Sequence, residues 1–157
     1  MTSVRSPLPG PDDLTGWMRT DFPVLRPQLT RWHDDDVYGH VNNVVYYSYF
    51  DTAVNGYLLE ASGTDIRTLS AIGIVAETAC RYLRQIGFPD RLEVGLAVSR
   101  LGHSSVAYRL AVLREAENAP AAVGRFIHVY VDRDTRRPVA IPDVLRVVLE
   151  PLAVTGE

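Results

Sequence analysis

Apolar and polar positions along this chain of 157 residues change their period between its first and second halves. Val24 to Trp32 reads as a first strand, in which Pro27 marks an edge or a bend because it cannot donate to a ladder. The run Val44-Val45-Tyr46-Tyr47-Ser48-Tyr49-Phe50 that follows the next loop is rich in β-branched and aromatic residues, which also favour strands. Its polar residues decide otherwise: Ser48, Asp51, Thr52 and Asn55 fall at i, i+3, i+4 and i+7, a stripe at helical period. The spacing predicts a helix over Val44 to Glu60, largely buried except along that stripe, and closed by Gly63 in the Ala61-Ser62-Gly63 cluster.

From Ile72 onward the period becomes two. Leu92, Val94, Leu96 and Val98 alternate with Glu93, Gly95, Ala97 and Ser99, and similar alternation marks Val106 to Val112 and Val123 to Val131. Strands are predicted near residues 73–85, 91–101, 104–115 and 121–132. Short turns at Gly102 to Ser104 and Glu115 to Ala119 make the later strands an antiparallel meander. Pro142, a favourable first-turn residue, opens a final helix through Val144, Leu145, Val148 and Leu149. The expected class is α+β: an antiparallel sheet wrapped around one long central helix, since the apolar face of each must cover the other.

No linker or repeat divides the chain, so a single domain over residues 22–152 is expected, with a flexible or surface-draped extension over 1–21 and a short tail over 153–157. An apolar content of 46% and a charged content of 22% are ordinary for a globular protein. A net charge of −3 without a dense Lys/Arg block argues against nucleic acid as the main partner. The single cysteine, Cys80, excludes an intrachain disulfide and a cysteine-rich zinc cluster and points to a cytoplasmic home. The start of the chain, with Pro7, Pro9, Gly10, Pro11, Asp12 and Asp13, resembles neither a secretory signal nor a membrane span.

Candidate chemistry concentrates in the loop Arg31-Trp32-His33-Asp34-Asp35-Asp36-Val37-Tyr38-Gly39-His40-Val41-Asn42-Asn43. It crowds three carboxylates, two imidazoles and two amides between the first strand and the helix. Gly39 permits a backbone conformation closed to other residues, and Asn42 and Asn43 suit a helix N-cap. Free N–H groups at a helix N-terminus, aided by its dipole, suit a developing oxyanion.

The segment Asp36-Val37-Tyr38-Gly39-His40-Val41-Asn42-Asn43-Val44-Val45-Tyr46, with the element order from Val24 to Leu149, resembles the hotdog-fold thioesterases of the 4-hydroxybenzoyl-CoA and acyl-CoA thioesterase group. A weaker echo is Arg137-Pro138-Val139-Ala140-Ile141-Pro142, similar to that family's exit from its last strand into a terminal helix. The resemblance implies hydrolysis of an acyl- or aryl-CoA thioester to free acid and coenzyme A, with no metal or organic cofactor. It maps the catalytic carboxylate onto Asp36 and the oxyanion N–H onto Asn43, with His40 and Asn42 in support and Tyr38, Gly39, Tyr46 and Tyr47 against the substrate. It also implies a homodimer or homotetramer with the site between protomers. Chemically, a carboxylate can activate water or attack the thioester itself, and the residues alone do not separate the two.

Each candidate has a plainer role beside the sharper one. Asp36 can cap a turn, and Asp34 and Asp35 can stabilise the loop. His40 can order the loop, position substrate or protonate the leaving thiolate. Asp51, on the polar stripe, is an alternative catalytic acid or a hydrogen-bonding residue. Arg81, Arg84, Arg100 and Ser104 are candidates for the nucleotide phosphates of coenzyme A, or solvated surface residues. Tyr46, Tyr47, Tyr49 and Phe50 can line an acyl pocket or pack the core. His33, Asp34, Asp36 and His40 have ligand chemistry but no recognisable metal-site spacing. Two other functions compete: a hotdog acyl-CoA dehydratase or hydratase, and a non-catalytic acyl-CoA-binding module.

Overall fold

The computed structural model describes residues 16–154. Five strands form one antiparallel sheet: β1 (Val24–Leu29), β2 (Ala71–Tyr82), β3 (Arg91–Leu101), β4 (Ser105–Arg114) and β5 (Ala122–Asp132). Their spatial order is β1-β3-β4-β5-β2. The meander expected from the short turns covers β3, β4 and β5, while β2 crosses to the far edge and pairs with β5. Pro27 lies on β1, an edge strand, where a missing N–H costs least.

Helix α1 (Val45–Ser62) has 18 residues and buries Tyr46, Tyr49, Phe50, Ala53, Val54 and Leu58. Those positions recur at the helical period. Each large side chain so buried contributes roughly 1.5–3 kcal/mol of transfer free energy. The predicted stripe lies on the other side, with Ser48, Asp51 and Thr52 exposed and Asn55 half-buried. Close approach to the sheet depends on Gly124, where a Cβ would fall 2.5 Å from a Phe50 ring carbon. Phe126 completes the contact, its ring edge-on to Phe50 at 5.7 Å. Gly63 ends α1 in the left-handed conformation (φ 64°), its N–H donating to the Leu59 carbonyl at 3.1 Å. A second helix, α2 (Asp143–Leu149), starts after Pro142 and buries Leu145 and Leu149 in the same core.

The opposite sheet face carries a smaller cluster of Trp17, Phe22, Ala97, Ala111, Leu113 and Val123. Of the extension expected over 1–21, residues 1–15 lie outside the described residues, while Trp17 is buried on this face beside Phe22 and stacks under the Arg109 guanidinium at 4.6 Å. At the other end, Ala153 bridges to Val98 and the Val154 N–H donates to the Val98 carbonyl at 2.9 Å. The rest of the tail, 155–157, lies outside the described residues.

Candidate active site

The loop between β1 and α1 is held by two of its own carboxylates. Asp34 is fully buried and accepts from the Tyr49 hydroxyl at 2.7 Å, the Arg31 N–H at 2.9 Å and the Arg31 guanidinium at 2.9 and 3.1 Å. Burial pushes its carboxyl up, but the Tyr49 hydroxyl and the Arg31 donors outweigh that and hold it below the usual carboxylate range. The bond also ties the loop to α1. Asp35 accepts from the Phe88 N–H at 3.0 Å and bridges to Val41 through its backbone. With Asp34 neutralised by Arg31 and Asp35 engaged elsewhere, the three carboxylates point to three different partners.

Asp36 opens a tight turn. Its N–H donates to the His40 carbonyl at 2.8 Å, and its Oδ1 accepts from the Tyr38 N–H at 2.8 Å and the His40 N–H at 3.5 Å. Gly39 supplies the left-handed residue (φ 81°) that the reversal needs. Oδ2 has no hydrogen-bond partner among the described residues. The turn role and an available carboxylate oxygen therefore coexist in one side chain.

Asn42 caps the entry to α1: its Oδ1 accepts from the Val44 N–H at 3.2 Å, and its carbonyl from the Val45 N–H at 2.9 Å. The Asn43 N–H, by contrast, has no partner among the described residues. Asp36, His40, Asn43 and Tyr46 line one open cavity of about 460 Å³, closed on its far side by Tyr82, Leu83, Arg84 and Gln85. Burial pushes the Tyr46 hydroxyl up to about 12, so it stays protonated in this wall.

Other sequence candidates lie elsewhere. Tyr38 is exposed, and Gly39 borders a neighbouring recess with Trp32, Asp35, Val37 and Asp36, so Asp36 lines both hollows. Tyr47 is half-buried and stacks on Phe126 at 6.3 Å. Asp51 is exposed on α1, accepting from the Asn55 amide at 3.1 Å. Of the four candidates for coenzyme A phosphates, Arg84 alone lines the cavity. Arg81 pairs with Val123 across β5, whereas Ser104 adjoins the Ser105–Val129 pair. Six residues of strand separate those positions, roughly 20 Å at about 3.3 Å per residue, so Arg100 and Ser104 sit at the opposite end of the sheet from Arg81 and Arg84. Among the described residues no group of three or more His, Cys, Asp or Glu converges as a metal site.

Tyr82 is the site residue that sequence reasoning missed. Its hydroxyl donates to the Asn43 carbonyl at 2.9 Å, and its ring stands edge-on to Tyr46 at 4.9 Å. The contact joins the end of β2 to the start of α1, 39 residues apart in sequence. Its one sequence signal is its place between Arg81 and Arg84, both candidates for the coenzyme A phosphates.

A crystal structure of the PA5185 protein from Pseudomonas aeruginosa superimposes with a TM-score of 0.86 at 49% identity, over 90% of this chain and 99% of that one. A thioesterase from Thermus thermophilus, solved with coenzyme A and zinc, gives 0.69 at 31% identity, over 84% and 95% of the two chains. The Bacillus subtilis protein YsmA is 28% identical over 127 residues, 80% of this chain and 84% of that protein. The sequence profile of the thioesterase-like superfamily matches residues 30–149, which take in the Asp36 loop, α1, the whole of β2 to β5 and α2. The chain is thus a member of the thioesterase-like superfamily, with its hotdog fold.

Proposed function

We propose that this protein is a thioester hydrolase that cleaves an acyl- or aryl-CoA to the free acid and coenzyme A. The observation that carries the proposal is the presence, on one cavity, of an Asp36 carboxylate with an unengaged oxygen and an Asn43 N–H with no partner. Asp36 activates water or attacks the thioester carbonyl, and the Asn43 N–H receives the oxyanion of the tetrahedral intermediate. The α1 dipole adds to that stabilisation. The intermediate collapses by expelling the coenzyme A thiolate, a good leaving group that needs no obligatory acid; if Asp36 is the nucleophile, water then cleaves the resulting Asp36 anhydride to release the acid and restore the carboxylate. His40 borders the same cavity and Asn42 fixes the helix entry, so both act as supports for the reacting groups.

Arg84 at the cavity wall is the cation best placed for coenzyme A phosphates. That the Thermus relative was solved with coenzyme A supports the carrier. We further expect a cytoplasmic homodimer or dimer of dimers, with the sheet wrapped around α1 and subunits joined along β2. Among the described residues that edge strand is unpaired on its outer side, and it exposes Ile74 and Val75. No helix among the described residues is long and apolar enough to cross a membrane.

Thiol release measured with a colorimetric reagent, across short, medium and long aliphatic and aryl-CoA substrates, tests the activity. Turnover is expected on part of that panel, lost in Asp36→Ala and retained in Asp51→Ala. A folded Asp36→Ala protein with full turnover would overturn the Asp36 role, and no turnover on any thioester would overturn the activity.

A further inference from the structure

Asp36 lines two hollows of opposite character. In the cavity of about 460 Å³ it is the one carboxylate, and Arg84 the one Lys or Arg, among the lining residues. The second hollow, about 220 Å³, is lined by Trp32, Asp35, Asp36, Val37 and Gly39, which bring an indole, a valine and two carboxylates but no cationic side chain. A thioester has two arms, and on the hydrolase reading, on which this inference rests, both leave a carbonyl held between Asp36 and the Asn43 N–H. Phosphates are drawn to Arg84 and repelled by the Asp35 and Asp36 charges, so the coenzyme A arm takes the first hollow and the acyl arm the second.

Trp32 is 81% exposed and Val37 92%, and apolar surface left open beside a reacting group is a mark of a ligand subsite. The indole is placed by Phe88, whose ring it meets at 5.9 Å with the planes 82° apart. Phe88 also places Asp35, donating its N–H to the two carboxylate oxygens at 3.0 and 3.3 Å. Those bonds leave further lone pairs on Asp35. Arg31, the arginine beside Trp32 in sequence, is taken up by Asp34 instead.

Charge and surface together select the acyl group. A carboxylate or phosphate on it is repelled, and a purely apolar end strips water from two carboxylates without replacing it. An ammonium gains on both sides, from the carboxylate charges and from an indole face within about 6 Å. We propose that this hollow is the acyl subsite and that the substrate is a coenzyme A thioester of a small acid ending in an alkylated or protonated ammonium. The size agrees, since about 150 Å³ suffices for a benzene-sized guest.

The test compares coenzyme A thioesters whose acyl groups share one spacer: (trimethylammonio)butanoyl, its neutral isostere with a tert-butyl head, and the anionic glutaryl. The cation is expected to show kcat/KM about tenfold above the isostere, with glutaryl lower again. Asp35→Asn, which keeps a side-chain carbonyl for the Phe88 N–H, and Trp32→Leu should each cut that preference by about threefold or more while leaving kcat on the isostere within about twofold. The Trp32 indole N–H resonance, followed by NMR, should shift on adding the non-hydrolysable coenzyme A thioether with the same cationic head, and shift less with the tert-butyl thioether. Equal kcat/KM for cation and isostere, a preference undiminished in both variants, or a resonance unmoved at saturating thioether would each overturn the proposal. With no turnover on any thioester, a cation-selective shift of Trp32 keeps the subsite and removes the hydrolase reading; turnover without that selectivity does the reverse.

Discussion

Two aspartates two residues apart, Asp34 and Asp36, show how local surroundings set chemistry. Asp36 keeps one oxygen in its own turn and leaves the other without a partner among the described residues, so on the proposed mechanism Asp36→Ala should lower kcat by about 10²–10⁴, the usual range for losing a positioned base. Asp34, in contrast, is structural. Its folded carboxyl lies below the ~3.9 of an unfolded aspartate. A depressed pKa contributes stability that is complete above that unfolded value and is lost as pH falls through the folded one. Asp34→Asn should therefore weaken folding at pH 7 and flatten the acid limb of the stability profile below about pH 4, measured by urea unfolding across pH. An unchanged acid limb would show that other carboxylates control it. Tyr82 acts through Asn43: Tyr82→Phe removes the donor to the Asn43 carbonyl and keeps the ring against Tyr46. With one hydrogen bond worth about 0.5–1.5 kcal/mol, kcat should fall roughly 2- to 12-fold with KM little changed. A change confined to KM would make Tyr82 a binding residue instead.

Helix α1 illustrates what an element's pattern can and cannot specify. Its β-branched and aromatic start favours a strand locally, yet burial of Tyr46, Tyr49, Phe50, Ala53, Val54 and Leu58 on one face selects the helix. The contact needs a groove without side chains, and Gly124 on β5 provides it. Gly124→Ala places a Cβ 2.5 Å from Phe50 and 3.0 Å from the Ala79 carbonyl oxygen. The backbone oxygen cannot rotate away, so the substitution should cost about 1–3 kcal/mol, read as a fall in Tm. Alternation likewise identifies β2, but a single strand's period is silent on its neighbour. Its pairing with β5 places Tyr82, Leu83 and Arg84 opposite the start of α1 and so builds the far wall of the cavity.

On the scale of the whole molecule, the sheet is covered on both faces, by α1 on one and by the Trp17 cluster on the other. Trp17→Ala should cost roughly 3–5 kcal/mol, the usual loss for a buried tryptophan, and a Tm shift of less than a degree would refute that packing role. The β2 edge should pair with a second copy, giving two or four times the monomer mass by light scattering, and Val75→Lys should shift that mass towards the monomer. By itself the sequence determined the element order, the helical stripe, the loop carrying Asp36 to Asn43 and the family resemblance, because period, turn residues and a contiguous motif are local properties of a chain. Only the tertiary structure decided that β2 reaches the far edge, that Tyr82 holds Asn43, and that Arg84 and not Arg100 lines the cavity. Those are contacts between residues far apart in sequence, fixed by strand pairing and burial, and no local pattern encodes them.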